Sequence, residues 1–415
     1  MGVERIAPRA RGGDFMSQFG WVDQDERHRR AMLSVVQLFK DDGTVDELGT
    51  GSIRDAISNT LFPGTSVLQT RARYLVIVPW LIKRAAAASQ DGREAEQRLR
   101  NLEGRVIHSL LRGGEPDGVI GRQAKEKLKR MPSAAYWAAL GTFGIRTTDS
   151  SIGGLLRQEV SSRRQNAHAA QPDDPGAERD YVPSGIHADL PPAPEDLLSE
   201  ATLALTEAEQ DFLRDRILAS TKGSLLAWLL GLGTTSEVDW IWEHEHRDHF
   251  PAEAEAYVDA GRRFHTLVQG AALVYNSLLA EKRASEDLIA TYDEDLEAWS
   301  AALLEADLFS GGWSADQLWS LLDRGGHRVA PGTRTFISAW LGLVAEHGGA
   351  VGHVRVARDL VRQREIALKG GRARLINDSA LEQWTGRAGL VPLDYRWGVA
   401  SRLIRDLTAP IEVSA

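Results

Sequence analysis

Residues 262–283 read RRFHTLVQGAALVYNSLLAEKR, and their spacing decides the fold class. Phe264, Leu267, Val268, Ala271, Val274, Tyr275 and Leu278 fall on one stripe of a helix with 3.6 residues per turn. The same period extends outward in both directions. Asp23-x-x-Glu26 precedes Met32, Leu33, Val36 and Phe39 on a single face. Ser52-x-x-Asp55 has the form of a capping box, and its helix should stop at Phe62-Pro63-Gly64. A longer helix is expected from Ser66 to about Ala88, kinked near Pro79. Thr206-x-x-Glu209 and Ser314-x-x-Gln317 mark further starts, and Val351 to Leu368 adds another helical stretch. Sustained period-two alternation is scarce and no Asn-Gly hairpin occurs. The expected fold is mainly α and multi-helical. Two helical regions are joined by a proline-rich linker, with helix-turn-helix-like elements in the N-terminal half.

A chain of 415 residues exceeds what one core usually supports, so two or more domains are expected. Six of its fifteen prolines (Pro172, Pro175, Pro183, Pro191, Pro192 and Pro194) lie between Arg163 and Leu197. Proline fixes φ and removes a donor, so this stretch reads as a linker or long loop. The division is then 1–15, a disordered extension; 16–162, a helical domain; 163–197, the linker; and 198–415, a second helical domain. Charge follows it. Residues 1–165 carry 26 Lys+Arg against 19 Asp+Glu, whereas 166–415 carry 23 against 39. A net −9 therefore conceals a basic half and an acidic half, each suited to a different partner.

Several classes of chemistry are absent from the sequence. No cysteine is present, which removes disulfides, thiolate zinc sites, iron–sulfur clusters and cysteine nucleophiles, and fits a reducing cytoplasm. The longest apolar run, Leu75 to Ile82, is far short of the ~20 residues that span a bilayer, and no membrane partner is expected. The Gly/Arg-rich start lacks the apolar core of a secretory signal. There is no Gly-x-Ser-x-Gly elbow, no phosphate-binding Gly-x-x-x-x-Gly-Lys-Ser/Thr loop and no His-x-Lys core. No cofactor is expected.

Five patches stand out together. They are FGWVD (19–23), GTGSIRDAISNTLFPGTSVLQTRARY (49–74), PSAAYW (132–137) with Gly144-Ile145, GAALVYN (270–276) with Leu279-Ala280-Glu281, and ARLIN (373–377) with LDYRW (393–397). Read together they resemble a bacterial family known only as a domain of unknown function. The resemblance covers nearly the whole chain apart from 1–15 and the linker. It implies no catalytic residue. Family members often sit near helicase and phospholipase-D-like genes in antiphage islands, so it implies a defence setting and such proteins as partners.

The basic half suggests contact with DNA or RNA. Gln69, Arg71 and Arg73 fall on the helix after the Pro-Gly turn, where a second helix of a helix-turn-helix meets a phosphate backbone. Arg122, Lys125, Lys127, Lys129 and Arg130 form a second basic run, and Tyr136 and Trp137 could stack on bases. Equally, Arg71 and Arg73 could pair with a carboxylate such as Glu47 or Asp55 and join two helices. Gly49-x-Gly51 could offer amides to an anion or simply form a turn. His244, His246 and His249, with Glu243, Glu245 and Asp248, are the weak candidates for a metal site; an exposed polar loop is the alternative. Asn276, Glu281, Asp394 and Arg396 read as structural networks. Three functions follow: a non-catalytic defence component contacting nucleic acid through its basic half and protein partners through its acidic half; an interaction module that binds no nucleic acid; and a metal-dependent nuclease. The first is expected.

Overall fold

The 262–283 stripe belongs to a 31-residue helix, Ala252–Lys282, which is buried on every side from Gly270 to Ala280. In the computed structural model residues 46–115, 117–123, 128, 130–169 and 183–411 are described. The stretch after Asp23, the 19–23 patch and Lys125, Lys127 and Lys129 lie outside the described residues. Fourteen α-helices occur among the described residues. In the first half they are α1 (Gly51–Leu61), α2 (Tyr74–Ala87), α3 (Gly92–Arg112), α4 (Pro132–Thr142) and α5 (Ile152–Ala169). In the second half they are α6 (Glu207–Ser220), α7 (Leu225–Leu232), α8 (Ala252–Lys282), α9 (Glu286–Glu305), α10 (Ala315–Arg324), α11 (Pro331–His347), α12 (Arg355–Lys369), α13 (Asp378–Glu382) and α14 (Trp397–Thr408). The fold is mainly α and multi-helical, and a single antiparallel bridge, Arg146 to Ile186, is the β-structure among the described residues.

Two helices organise the packing. From Tyr74 to Ile82 α2 is apolar around its whole circumference, so water has no face to occupy there, and α3, α4 and α5 pack against it. α8 plays the same part for α9, α10, α11 and α12. Gly270 lets α9 approach: a β-carbon there would stand 2.2 Å from the Trp299 ring. Trp299 and Trp340 fix their indoles by donating to the carbonyls of Thr266 and Leu267 on α8. The two halves are continuous in the core, because α1, from the basic half, packs on α7, α8 and α10.

Local signals were partly displaced by distant partners. At α1 the Asp46 side chain, not Ser52, takes the first amides, accepting from Thr50 N at 2.8 Å and Gly51 N at 2.7 Å. The Thr206–Glu209 box forms in both directions at the start of α6. α2 begins at Tyr74, eight residues after the expected Ser66. The amides between are drawn elsewhere: Thr70 and Arg71 donate to the Tyr136 hydroxyl, and Ala72 donates to Asp406. The span from Leu61 to Tyr74 is therefore no short helix-turn-helix turn, and α2, buried from Tyr74 to Ile82, has no free face there to enter a groove. The described end of the proline-rich stretch is fastened down. His187 donates to the Ile145 carbonyl, Gly185 donates to Glu159, and Trp80 donates to the Pro191 carbonyl.

One buried carboxyl has a consequence for stability. Glu103 of α3 is 2% exposed and accepts from Ser133 N at the start of α4. Burial pushes its pKa up to about 7. The folded state then binds a proton more tightly than the unfolded one, so stability falls as pH rises from the usual carboxyl range through about 7. Glu103→Gln should leave the unfolding midpoint nearly unchanged at pH 5. At pH 8 it should raise stability by on the order of 2 kcal/mol, measured by urea titration.

Candidate nucleic-acid interface

The GTSVLQTRARY segment supplies three of the expected contact residues, and the fold directs them inward. Gln69 bridges its own loop, donating to the Gly64 carbonyl and accepting from Ser66 N. Arg73 is 7% exposed and lies fork-to-fork on Glu209 of α6 at 2.9–3.0 Å, with a further bond to the Thr202 carbonyl. Arg71 meets Asp406 of α14 at 2.9 Å, and Glu115 lies 3.9 Å away. Tyr136 is buried, accepts from two amides and donates to the Arg71 carbonyl at 2.7 Å, and burial pushes its pKa up to about 12. Reading a phosphate or a base with Gln69, Arg73 or Tyr136 would require opening this seam. The polar groups of these three have internal partners, 129 and 136 positions away in the case of Arg73.

The remaining expected residues scatter. Arg122 is exposed, Arg130 is half-buried, and Trp137 carries the Arg146 guanidinium on its face at 4.8 Å. What the fold leaves outward instead is a set of arginines on α2, α3 and α5, of which Arg157, Arg163 and Arg164 seat on the turn between α2 and α3. Arg84 ends α2, Arg93 and Arg98 stand on α3, and Arg157, Arg163 and Arg164 come from α5. All six are exposed. Arg163 donates to the Ser89 carbonyl at 2.8 Å, and Arg164 reaches the Gln90 side chain at 3.1 Å. The Arg157 stem crosses Gly92 so closely that a β-carbon there would clash at 2.2 Å. Arg98 pairs with Glu94, and Arg157 stands 3.8 Å from Glu96. Arg84 and Arg93 have no carboxylate partner among the described residues. Along the chain these arginines are separated by up to 80 positions and interleaved with glutamates, so no run announces them.

The other candidates are internal. His244 is buried between Phe250 and Trp397, its Nδ1 accepts from His246 N, and burial lowers its pKa. His246 is half-buried and His249 exposed, with ring centroids 6.4 Å apart. Among the described residues no three His, Asp or Glu side chains converge as metal ligands do. The amides after Gly49 hold the protein's own anion, Asp46. Asn276 makes four buried bonds, to Ala272, Ala388 twice and Trp384. Arg396 reaches Asn59 and the Thr65 carbonyl, tying α14 to α1. A buried network missed in the sequence joins Glu47, Tyr275, Glu365, Lys369 and Arg374. Tyr275 donates to Glu365 at 2.6 Å, Lys369 lies 3.0 Å from Glu365, and Arg374 meets Glu47 at 2.7 Å.

These features define a multi-helical protein in which ion pairs between distant segments occupy the polar interior of the described residues. The chain belongs to DUF6361, a family of unknown function whose sequence profile matches residues 16–410. No curated protein and no solved structure matches it significantly.

The Arg73–Glu209 pair predicts strong coupling. Arg73→Met or Glu209→Met alone should cost about 3–5 kcal/mol, since each leaves a buried charge unmatched. The double variant should cost clearly less than the two losses combined, as read from urea unfolding. Additive losses would contradict the pairing.

Proposed function

We propose that this protein is a non-catalytic component of a bacterial antiphage defence system. It contacts nucleic-acid phosphate through the arginine surface of its N-terminal half and protein partners through its acidic half. The observation that carries the reading is the exposed group Arg84, Arg93, Arg98, Arg157, Arg163 and Arg164 on α2, α3 and α5. The buried cations of this half are matched by carboxylates, so the outward field comes from the surface arginines. Arginine forks suit phosphate oxygens, and a helical surface without a groove-entering helix suits backbone contact better than base reading. The defence setting comes from the family resemblance. Helicase and phospholipase-D-like proteins encoded nearby are the partners it implies.

An interaction module without nucleic-acid binding is the alternative, favoured by the internal use of Gln69, Arg73 and Tyr136. A metal-dependent nuclease has little to motivate it, given the absence of converging ligands among the described residues.

Fluorescence anisotropy of labelled single- and double-stranded DNA and RNA, repeated across a salt series, tests the proposal. Affinity should fall steeply with salt, with a log–log slope of about −0.9 for each duplex phosphate engaged. Arg84→Glu/Arg93→Glu/Arg157→Glu/Arg164→Glu should weaken binding at least ~10-fold and flatten the slope. Equal affinity of the variant and the parent would overturn it in favour of the interaction module.

A further inference from the structure

The segment VDWIWEHEH (238–246) is left unused by the arginine surface, and it builds an unusual aromatic face. Trp240 and Trp242 flank a single turn that begins at Ile241, which is buried and anchors it. The two indoles stack with centroids 4.8 Å apart and planes 11° from parallel. His265 of α8 backs both, at 5.0 Å and 5.6 Å. Its Nδ1 accepts from Leu393 N, and burial lowers its pKa, so the imidazole adds no positive charge at neutral pH. The face is rigidly mounted. Trp397 donates to the Val238 carbonyl, Arg247 to the Trp242 carbonyl and Ser236 to Glu245.

Two features separate this pair from six buried tryptophans of the interior. Trp80, Trp299, Trp319, Trp340, Trp384 and Trp397 each donate their indole N–H within the protein. Trp240 and Trp242 are half-exposed, and neither indole N–H has a partner among the described residues. Second, the side chains alternating with them are acidic. Asp239 and Glu243 are exposed without a cationic partner among the described residues, and Asp248 follows a turn later. The nearby cations are already matched: Arg405 with Glu237, Arg247 with Glu255, and Arg262 with Asp259.

We propose that Trp240 and Trp242, flanked by Asp239 and Glu243, form a docking site for an arginine-rich peptide segment of a partner protein. A guanidinium stacks on an indole face and is attracted by its quadrupole, while its N–H fork meets the flanking carboxylates. Exposed tryptophans surrounded by complementary charge are where interface energy concentrates. This gives chemical identity to the protein contact of the acidic half in the reading above. It shares no residue with the arginine surface, so either can fail while the other stands.

The probe is a fluorescein-labelled nona-arginine peptide titrated into the full chain at 150 mM salt, alongside a nona-lysine peptide of equal charge. Saturable binding of nona-arginine, tighter than nona-lysine and with quenched tryptophan emission, is expected. Asp239→Asn/Glu243→Gln and Trp240→Ala/Trp242→Ala should each weaken it by roughly 10-fold. Glu294→Gln/Glu297→Gln, two exposed carboxylates on α9, should change it less than about twofold. The carboxylate variant is a surface change, so it decides the matter even if the tryptophan variant unfolds. Unchanged affinity in that variant, or equal loss in the α9 control, would overturn the site as mere attraction to the acidic half. A labelled single-stranded oligonucleotide that loses affinity on Trp240→Ala/Trp242→Ala would overturn it in favour of base stacking.

Discussion

A guanidinium leaves water at small net cost only where acceptors wait for its N–H groups, and that constraint governs how this chain closes. Arg73, at the start of α2, has Glu209 across a bidentate bond, and Arg71, two residues earlier, has Asp406. Both carboxylates lie in the acidic half. The start of the basic half's central helix is therefore fixed by the acidic half, and Glu209 also closes the cap of α6. The Glu47–Glu365–Lys369–Arg374 network repeats the logic on the other side, where the segment before α1 is clamped by α12 and the loop after it. Charge asymmetry along the sequence thus becomes charge matching in space.

That arrangement explains what could be read from the residues and what could not. Helical content was legible, since periodicity is local and α8 shows it over several turns. The Thr206–Glu209 box was legible for the same reason. The start of α2 was not. Residues 66–73 have helical composition, yet Tyr136 and Asp406 hold the amides of Thr70, Arg71 and Ala72, and no local rule reports partners 65 to 334 positions away. Arg71 and Arg73 pair with carboxylates and join helices, with Asp406 and Glu209 in place of Glu47 or Asp55. The arginine surface was illegible in the opposite sense. Arg84, Arg93 and Arg157 are ordinary solvated residues until α2, α3 and α5 pack.

The positive charges of the N-terminal half thereby fall into two populations. One is buried, geometrically exacting and structural; the other is exposed, and within it Arg84 and Arg93 have no carboxylate partner among the described residues. A buried bidentate pair demands fixed geometry from both partners. Phosphate contact asks only for density of charge. The acidic half shows a similar division. Glu209, Glu365 and Asp406 lock the interior, whereas Asp239 and Glu243 stand outward beside the paired tryptophans.

If inter-half ion pairs hold the molecule together, the two halves must open as one unit. Residue-resolved hydrogen exchange of the full chain tests this most directly. The slowest amides of α2 and of α8 should exchange with the same free energy and the same urea dependence, because neither core survives loss of the seam. If α2 exchanges through an opening of lower free energy while α8 stays protected, the halves fold separately. The Arg71–Asp406 and Arg73–Glu209 pairs would then be contacts between domains rather than the basis of the fold.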